Sequence, residues 1–139
     1  MVAANKMLSP QLPEELSSTW QQRFAFYAQY GSPFSPPALE AYKELPPGDR
    51  LSVGFNLWGF IFGILYYVYL GITKRGIGMM TISAVLMLLL ISADASDWWL
   101  KVHMIATQAT FGGMANYYYF IRVTQGRDEW DPLKDVRRF

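Results

Sequence analysis

The sequence predicts an all-α integral membrane protein with three hydrophobic segments, the first spanning or re-entrant and the second and third a helical hairpin. Short interfacial amphipathic helices flank them at both ends. Three observations carry this. All 23 charged residues (12 Lys and Arg, 11 Asp and Glu) fall outside residues 51–73, 76–93 and 102–121, uncharged runs of 23, 18 and 20 residues, and about 20 apolar residues cross a bilayer core. Aromatic residues bracket the third run, with Trp98 and Trp99 before it and Tyr117, Tyr118 and Tyr119 towards its end. Seven of the eight prolines lie in the first 50 residues, so that region holds no single long helix. The organisation expected is a polar N-terminal region with amphipathic helices (1–50), a membrane domain (51–123) and a C-terminal interfacial tail (124–139).

The opening MVAANKMLSPQLPEEL has no 7 to 15 residue apolar core and no small-residue cleavage site, so no secretory signal is read and the mature chain is expected to begin at Met1. With no glycine at position 2 and no cysteine to acylate, lipid anchoring is not expected. In SSTWQQRFAFYAQYG, Ser17 or Ser18 caps a helix that Gly31 ends. Leu16, Trp20, Phe24, Tyr27 and Tyr30 make an apolar stripe along it. The stripe of Trp20, Phe24 and Tyr27 is read as interfacial, packing on the other helices or lying on lipid. A second helix in PPALEAYKEL starts at Pro36 or Pro37 and stops before Pro46, with Leu39, Tyr42 and Leu45 on one side.

The first uncharged run, LSVGFNLWGFIFGILYYVYLGIT, contains Gly54, Gly59, Gly63, Gly71 and Asn56. On one helix Asn56, Gly59, Gly63 and Tyr67 would share a face, an amide and two close-approach sites that suit protein contact better than lipid. The second run, GIGMMTISAVLMLLLISA, is about 27 Å long as a helix and just spans. In the third, Gln108, Gly112 and Asn116 recur every four residues. Amides at membrane depth should face protein, where Asn56 is a partner, because an unsatisfied amide in hydrocarbon costs several kcal/mol. The tail GRDEWDPLKDVRRF offers Asp131 as an N-cap, Pro132 in the first turn and Leu133, Val136 and Phe139 in line, a short interfacial helix. Lys74 and Arg75 in the first link and five basic residues after the third run place those ends inside, with the 94–100 tip outward. A re-entrant first run then puts both termini inside.

The segments TWQQRFAFYAQYG, GDRLSVGFNLWGFIFGILYYVYLGITKRG and ANYYYFIRVTQGRDEWDP resemble the bacterial small-membrane-protein family known as domain of unknown function 2628, from about Ser17 to Trp130. The features shared are Trp20, Arg23 and Phe24, the aromatics around Asn56 to Phe62, the Tyr66 to Gly71 stretch with its basic link, and Asn116 with its tyrosines. Where members often carry a proline after the glycine of the aromatic run, this chain has Ile64. The resemblance implies a multi-pass protein of the bacterial inner membrane and implies no catalytic or ligand residues.

The chemistry-bearing motifs are sparse. A net charge of +1 points to no nucleic-acid partner. Absence of cysteine removes disulfides, thiolate chemistry and iron–sulfur clusters, and one histidine removes multi-histidine metal sites, so no cofactor, metal or catalytic residue is assigned. Gly71 to Gly76 has phosphate-loop glycine spacing, but Ile77 stands where the lysine belongs. His103 is the candidate titrating group, one turn inside the third run, without a second intramembrane acid or base for a relay. The expected function is noncatalytic: an accessory, assembly or scaffold subunit whose partners are the bilayer and another membrane protein or a second copy. The contacts are expected through Asn56, Gly59, Gly63, Gln108, Gly112 and Asn116. The alternative is a small oligomeric channel or transporter using His103, Thr107, Gln108 and Thr110.

Overall fold

The computed structural model describes residues 16–136. These form seven α-helices and no strand, as the sequence leads one to expect: α1 (Ser18–Tyr30), α2 (Pro36–Glu44), α3 (Pro47–Gly54), α4 (Leu57–Phe62), α5 (Ile64–Tyr69), α6 (Thr73–Ser92) and α7 (Asp97–Gln125). The Ser35 hydroxyl caps α2, accepting from the Ala38 amide at 3.4 Å. Pro47 opens α3 in its first turn, a start signal that the hydropathy reading passed over. The buried side of α2 is Ala38, with Ala41, Tyr42 and Leu45 partly buried against the core, so of the expected stripe Leu39, Tyr42 and Leu45 only Leu39 is turned outward.

Helices α6 and α7, 20 and 29 residues long, are about 30 and 44 Å in length. They pair antiparallel across a four-residue link in which Asp94 takes φ 53, a left-handed position that aspartate tolerates. The hairpin is dressed unequally. From Phe111 to Ile121 nearly every residue of α7 is buried by the other helices, whereas Trp98, Trp99, Met104 and Ile105 near its start stand exposed.

The first uncharged run is not one helix. Asn56 caps α4, its side-chain oxygen accepting from the Gly59 amide at 3.1 Å. Gly63 at φ 53, ψ −124 then breaks the chain between α4 and α5. The expected single face of Asn56, Gly59, Gly63 and Tyr67 is therefore divided between two short helices. Their course is fixed by α7: Asn56 meets Asn116, Gly63 lies against Gln108, and Gly71 beside Arg122. Counting residues along α7, the chain descends about 12 Å towards the hairpin tip and climbs about 21 Å back. Both ends of the run lie at the end of α7 away from the tip.

Of three expected membrane segments, one helix among the described residues, Thr73–Ser92, is long and apolar enough to cross a membrane. The first run doubles back in two six-residue helices. The third is diluted within α7 by Asp97, Lys101, Gln108, Asn116 and three tyrosines.

The tail also departs from expectation. After Gly126, a left-handed cap with φ 65, it runs back over the start of α6, and residues 132–136 form hydrogen-bonded turns in place of a helix. The reason is a tertiary contact. The Pro132 carbonyl, which a helix would offer to the Val136 amide, accepts instead from the Tyr118 hydroxyl at 2.5 Å, and the Val136 amide donates to Leu133 at 3.1 Å. Arg137, Arg138 and Phe139, assigned above to that helix, lie outside the described residues.

Candidate functional site

Where the doubled-back run meets α7, the structure brings together all six amide and glycine positions singled out in the sequence. Asn56 Nδ2 donates to Asn116 Oδ1 at 2.8 Å and to the Tyr66 hydroxyl at 3.3 Å. The Asn56 amide donates to the Gly112 carbonyl at 2.8 Å, and Asn116 Nδ2 to the carbonyls of Ser52 and Val53 at 3.2 and 3.0 Å. Those two carbonyls are orphans of the last turn of α3. Tyr27 and Arg23 of α1 share in satisfying them, through Tyr27 OH to Val53 at 2.7 Å and Arg23 Nε to Ser52 at 2.7 Å. The glycines admit the close approach: a Cβ at Gly59 would stand 3.0 Å from the Phe111 carbonyl, and one at Gly112 would stand 2.8 Å from the Phe55 ring. Gln108 Nε2 donates to the Phe60 carbonyl at 2.9 Å. Both asparagines are buried, so this is a closed polar lock that joins α3, α4 and α7.

Further towards the tip, His103 fastens α7 to α6. Its Nε2 lies 3.0 Å from both the hydroxyl and the carbonyl of Ser83. The Thr107 hydroxyl donates to the His103 carbonyl at 2.9 Å and lies 2.8 Å from Ser83 Oγ. With the Thr107 proton committed, the Ser83 hydroxyl donates to Thr107 and His103 Nε2–H donates to Ser83, which assigns the tautomer from the network. Every hydroxyl proton in the cluster is thus consumed inside it. These three residues, with Thr110, form a polar strip in the wall of a largely apolar open groove of about 670 Å³ between α2 and the hairpin.

The stripe of Trp20, Phe24 and Tyr27 is spent on the protein's own core. Phe24 and Tyr27 are buried, and the Trp20 ring packs edge-on to Tyr119 at 4.7 Å. A face of α4 and α5 takes its place outside, with Leu57, Trp58, Ile61, Leu65 and Val68 more than half exposed.

One buried site was missed by the sequence reading. Arg75, counted there as a link charge, is 0% exposed and pairs with Asp135 at 2.5 Å beneath the Tyr118 ring. Asp135 also pairs with Arg127 at 3.0 Å, and Asp128 accepts from the amides of Lys74 and Arg75 at 3.0 and 3.2 Å, closing the first turn of α6. Burial acts to raise the Asp135 pKa, but the hydrogen bonds from Arg75 and Arg127 prevail and hold it below the ordinary aspartate value. The sequence carries no clear signal for this pair, because the four acids of the tail, Asp128, Glu129, Asp131 and Asp135, are matched by four tail bases, Arg127, Lys134, Arg137 and Arg138.

The model of the family described as protein of unknown function (DUF2628) matches residues 9–125. Two curated relatives, each an uncharacterized protein YigF, one from Salmonella typhimurium and one from Salmonella typhi, are 39% identical over 66 residues. The match covers 45% of this chain and 52% of each relative. The chain spans about half the length of the curated relatives it matches. No solved structure matches the chain.

Proposed function

The chain belongs to the DUF2628 family of proteins of unknown function, and from that premise we propose that it is a multi-pass protein of the bacterial inner membrane that works by binding, as an accessory, assembly or scaffold subunit, and not as an enzyme. One observation carries the reading. Ile82, Val85, Leu86, Leu88, Leu89 and Ile91 of α6, with Trp98, Trp99, Met104 and Ile105 of α7, leave the outer hairpin apolar and bare. Such a surface is far larger than a soluble monomer exposes. In this reading the hairpin crosses the bilayer, α4 and α5 form a re-entrant pair, and the N-terminal helices and tail gather on the inner side. Re-entrant backbone is tolerated where protein buries it, and the Asn56–Asn116 lock supplies that burial.

The polar residues that a channel would need are already engaged: His103 and Thr107 with Ser83, Gln108 with Phe60, and Thr110 with the Ala106 carbonyl. That supports the binding reading over the conducting one. Photocrosslinking in intact cells tests it, with the crosslinker placed at Leu65 of α5 or Leu88 of α6 and, as a control, at Glu40. The expected result is a discrete protein adduct from Leu65 or Leu88 and none from Glu40. Lipid adducts alone at both positions would remove the partner while leaving the membrane placement standing.

A further inference from the structure

A cavity of about 560 Å³, separate from the groove at His103, opens between α1, the α4–α5 turn and Tyr119. Its walls are aromatic, built from Trp20, Trp58, Phe62, Tyr66 and Tyr69, and its lining includes one charged side chain, Arg23, and no carboxylate. Among the described residues no ion pair involves Arg23. Its Nε is spent on the Ser52 carbonyl, which fixes the guanidinium, and among the described residues its two terminal nitrogens have no hydrogen-bond acceptor. A half-buried cation held in this way is a fork for an anion.

The chemistry of the occupant is narrowed further by what surrounds the fork. The guanidinium stands 4.6 Å over the Trp20 ring, on a face where a quaternary ammonium would otherwise stack. A cationic group therefore meets repulsion where an anionic one meets attraction, and the ammonium of a zwitterionic headgroup loses the ring on which it would stack. On the other wall Trp58 and Phe62 are stacked at 5.8 Å and both stand exposed. They belong to α4, the limb that descends towards the hairpin tip. The cavity thus offers a cation at one end and a bare apolar wall leading into the bilayer region at the other.

We infer that this cavity binds one anionic phospholipid, with Arg23 holding the phosphate and Trp58 and Phe62 flanking the first methylenes of an acyl chain. The inference rests on the membrane reading above, since a chain that stays soluble never meets such a ligand. The lipid would tie α1 to the re-entrant pair at the inner headgroup level.

The test uses the full chain purified in a nonionic detergent and follows thermal unfolding on addition of phosphatidylglycerol, phosphatidylcholine of the same chain length, or inorganic phosphate. Phosphatidylglycerol should raise the midpoint saturably and more than phosphatidylcholine, and inorganic phosphate should have little effect. Arg23→Gln should weaken the apparent affinity for phosphatidylglycerol by roughly tenfold or more, as loss of a charged hydrogen bond implies. Trp58→Ala removes an exposed ring and is the second variant should Arg23→Gln fold poorly. It should keep the lipid-free midpoint and lose most of the response. Equal responses to the two lipids, a full response to inorganic phosphate alone, or wild-type responses from both variants would each overturn the proposal. Failure of the membrane reading is separable, because the protein would then remain dispersed and folded without detergent.

Discussion

At Gly63 the backbone adopts φ 53 and ψ −124, a region closed to side chains other than glycine's hydrogen. A Cβ there would also stand 2.9 Å from Gln108 Oε1. Gly63→Ala is expected to lower stability by about 1–3 kcal/mol, whereas Gly113→Ala, helical and with nothing within 4 Å of its Cβ, should stabilise by about 0.5–1 kcal/mol. Thermal unfolding of the two variants in detergent reads the contrast, and equal midpoints would mean that the α4–α5 break is not made. The Arg75–Asp135 pair makes a second residue-scale prediction. Removing one member of a buried pair costs about 3–5 kcal/mol. Asp135→Leu should be the worse choice, because it strands Arg75, whose Nε and Nη1 have no hydrogen-bond partner among the described residues, while Arg75→Met leaves Asp135 bound to Arg127. The acid response has a defined sign. With a folded pKa below the ordinary 3.8, Asp135 contributes its full stability above pH 3.8 and loses it as pH falls through the lower folded value. Wild type should show this acid limb in a stability–pH profile, and Asp135→Leu should lack it.

At the scale of elements, the interior contacts were more legible than the elements that make them. The four-residue recurrence of Gln108, Gly112 and Asn116 and the amide at Asn56 reveal that two faces belong together, because lipid satisfies no amide. Hydropathy does not reveal that Gly63 divides the first run, since an uncharged stretch reads alike whether it goes straight or doubles back. It likewise conceals α3, whose start lies in a proline pair and whose end lies inside the run. The Trp20, Phe24 and Tyr27 stripe is legible as one face of α1, but what it faces is set by Tyr117, Tyr119 and Phe120, about a hundred residues away in sequence. The tail helix failed because a tertiary hydrogen bond from Tyr118 outcompeted a local one. His103 offers the test at this scale. His103→Gln retains an amide donor near Ser83 and should hold the α6–α7 hairpin close to wild-type stability, while His103→Leu should cost about 1 kcal/mol by removing the Nε2 hydrogen bonds to Ser83. A His103→Gln variant as unstable as the leucine one would contradict the clasp.

For the whole molecule, the central claim is that the hairpin crosses the inner membrane while the first run enters and leaves on one side. Gly48 before that run and Gln125 after α7 are then on the same side, with Ser96 at the tip opposite. All three positions are exposed, and the chain has no cysteine of its own, so each can be replaced singly by cysteine and probed with a membrane-impermeant thiol reagent. In intact cells with the outer envelope permeabilised, Ser96→Cys should label, and Gly48→Cys and Gln125→Cys should label only after the inner membrane is opened. Labelling of Gly48→Cys together with Ser96→Cys before that opening would show that the first run crosses, and would contradict the account.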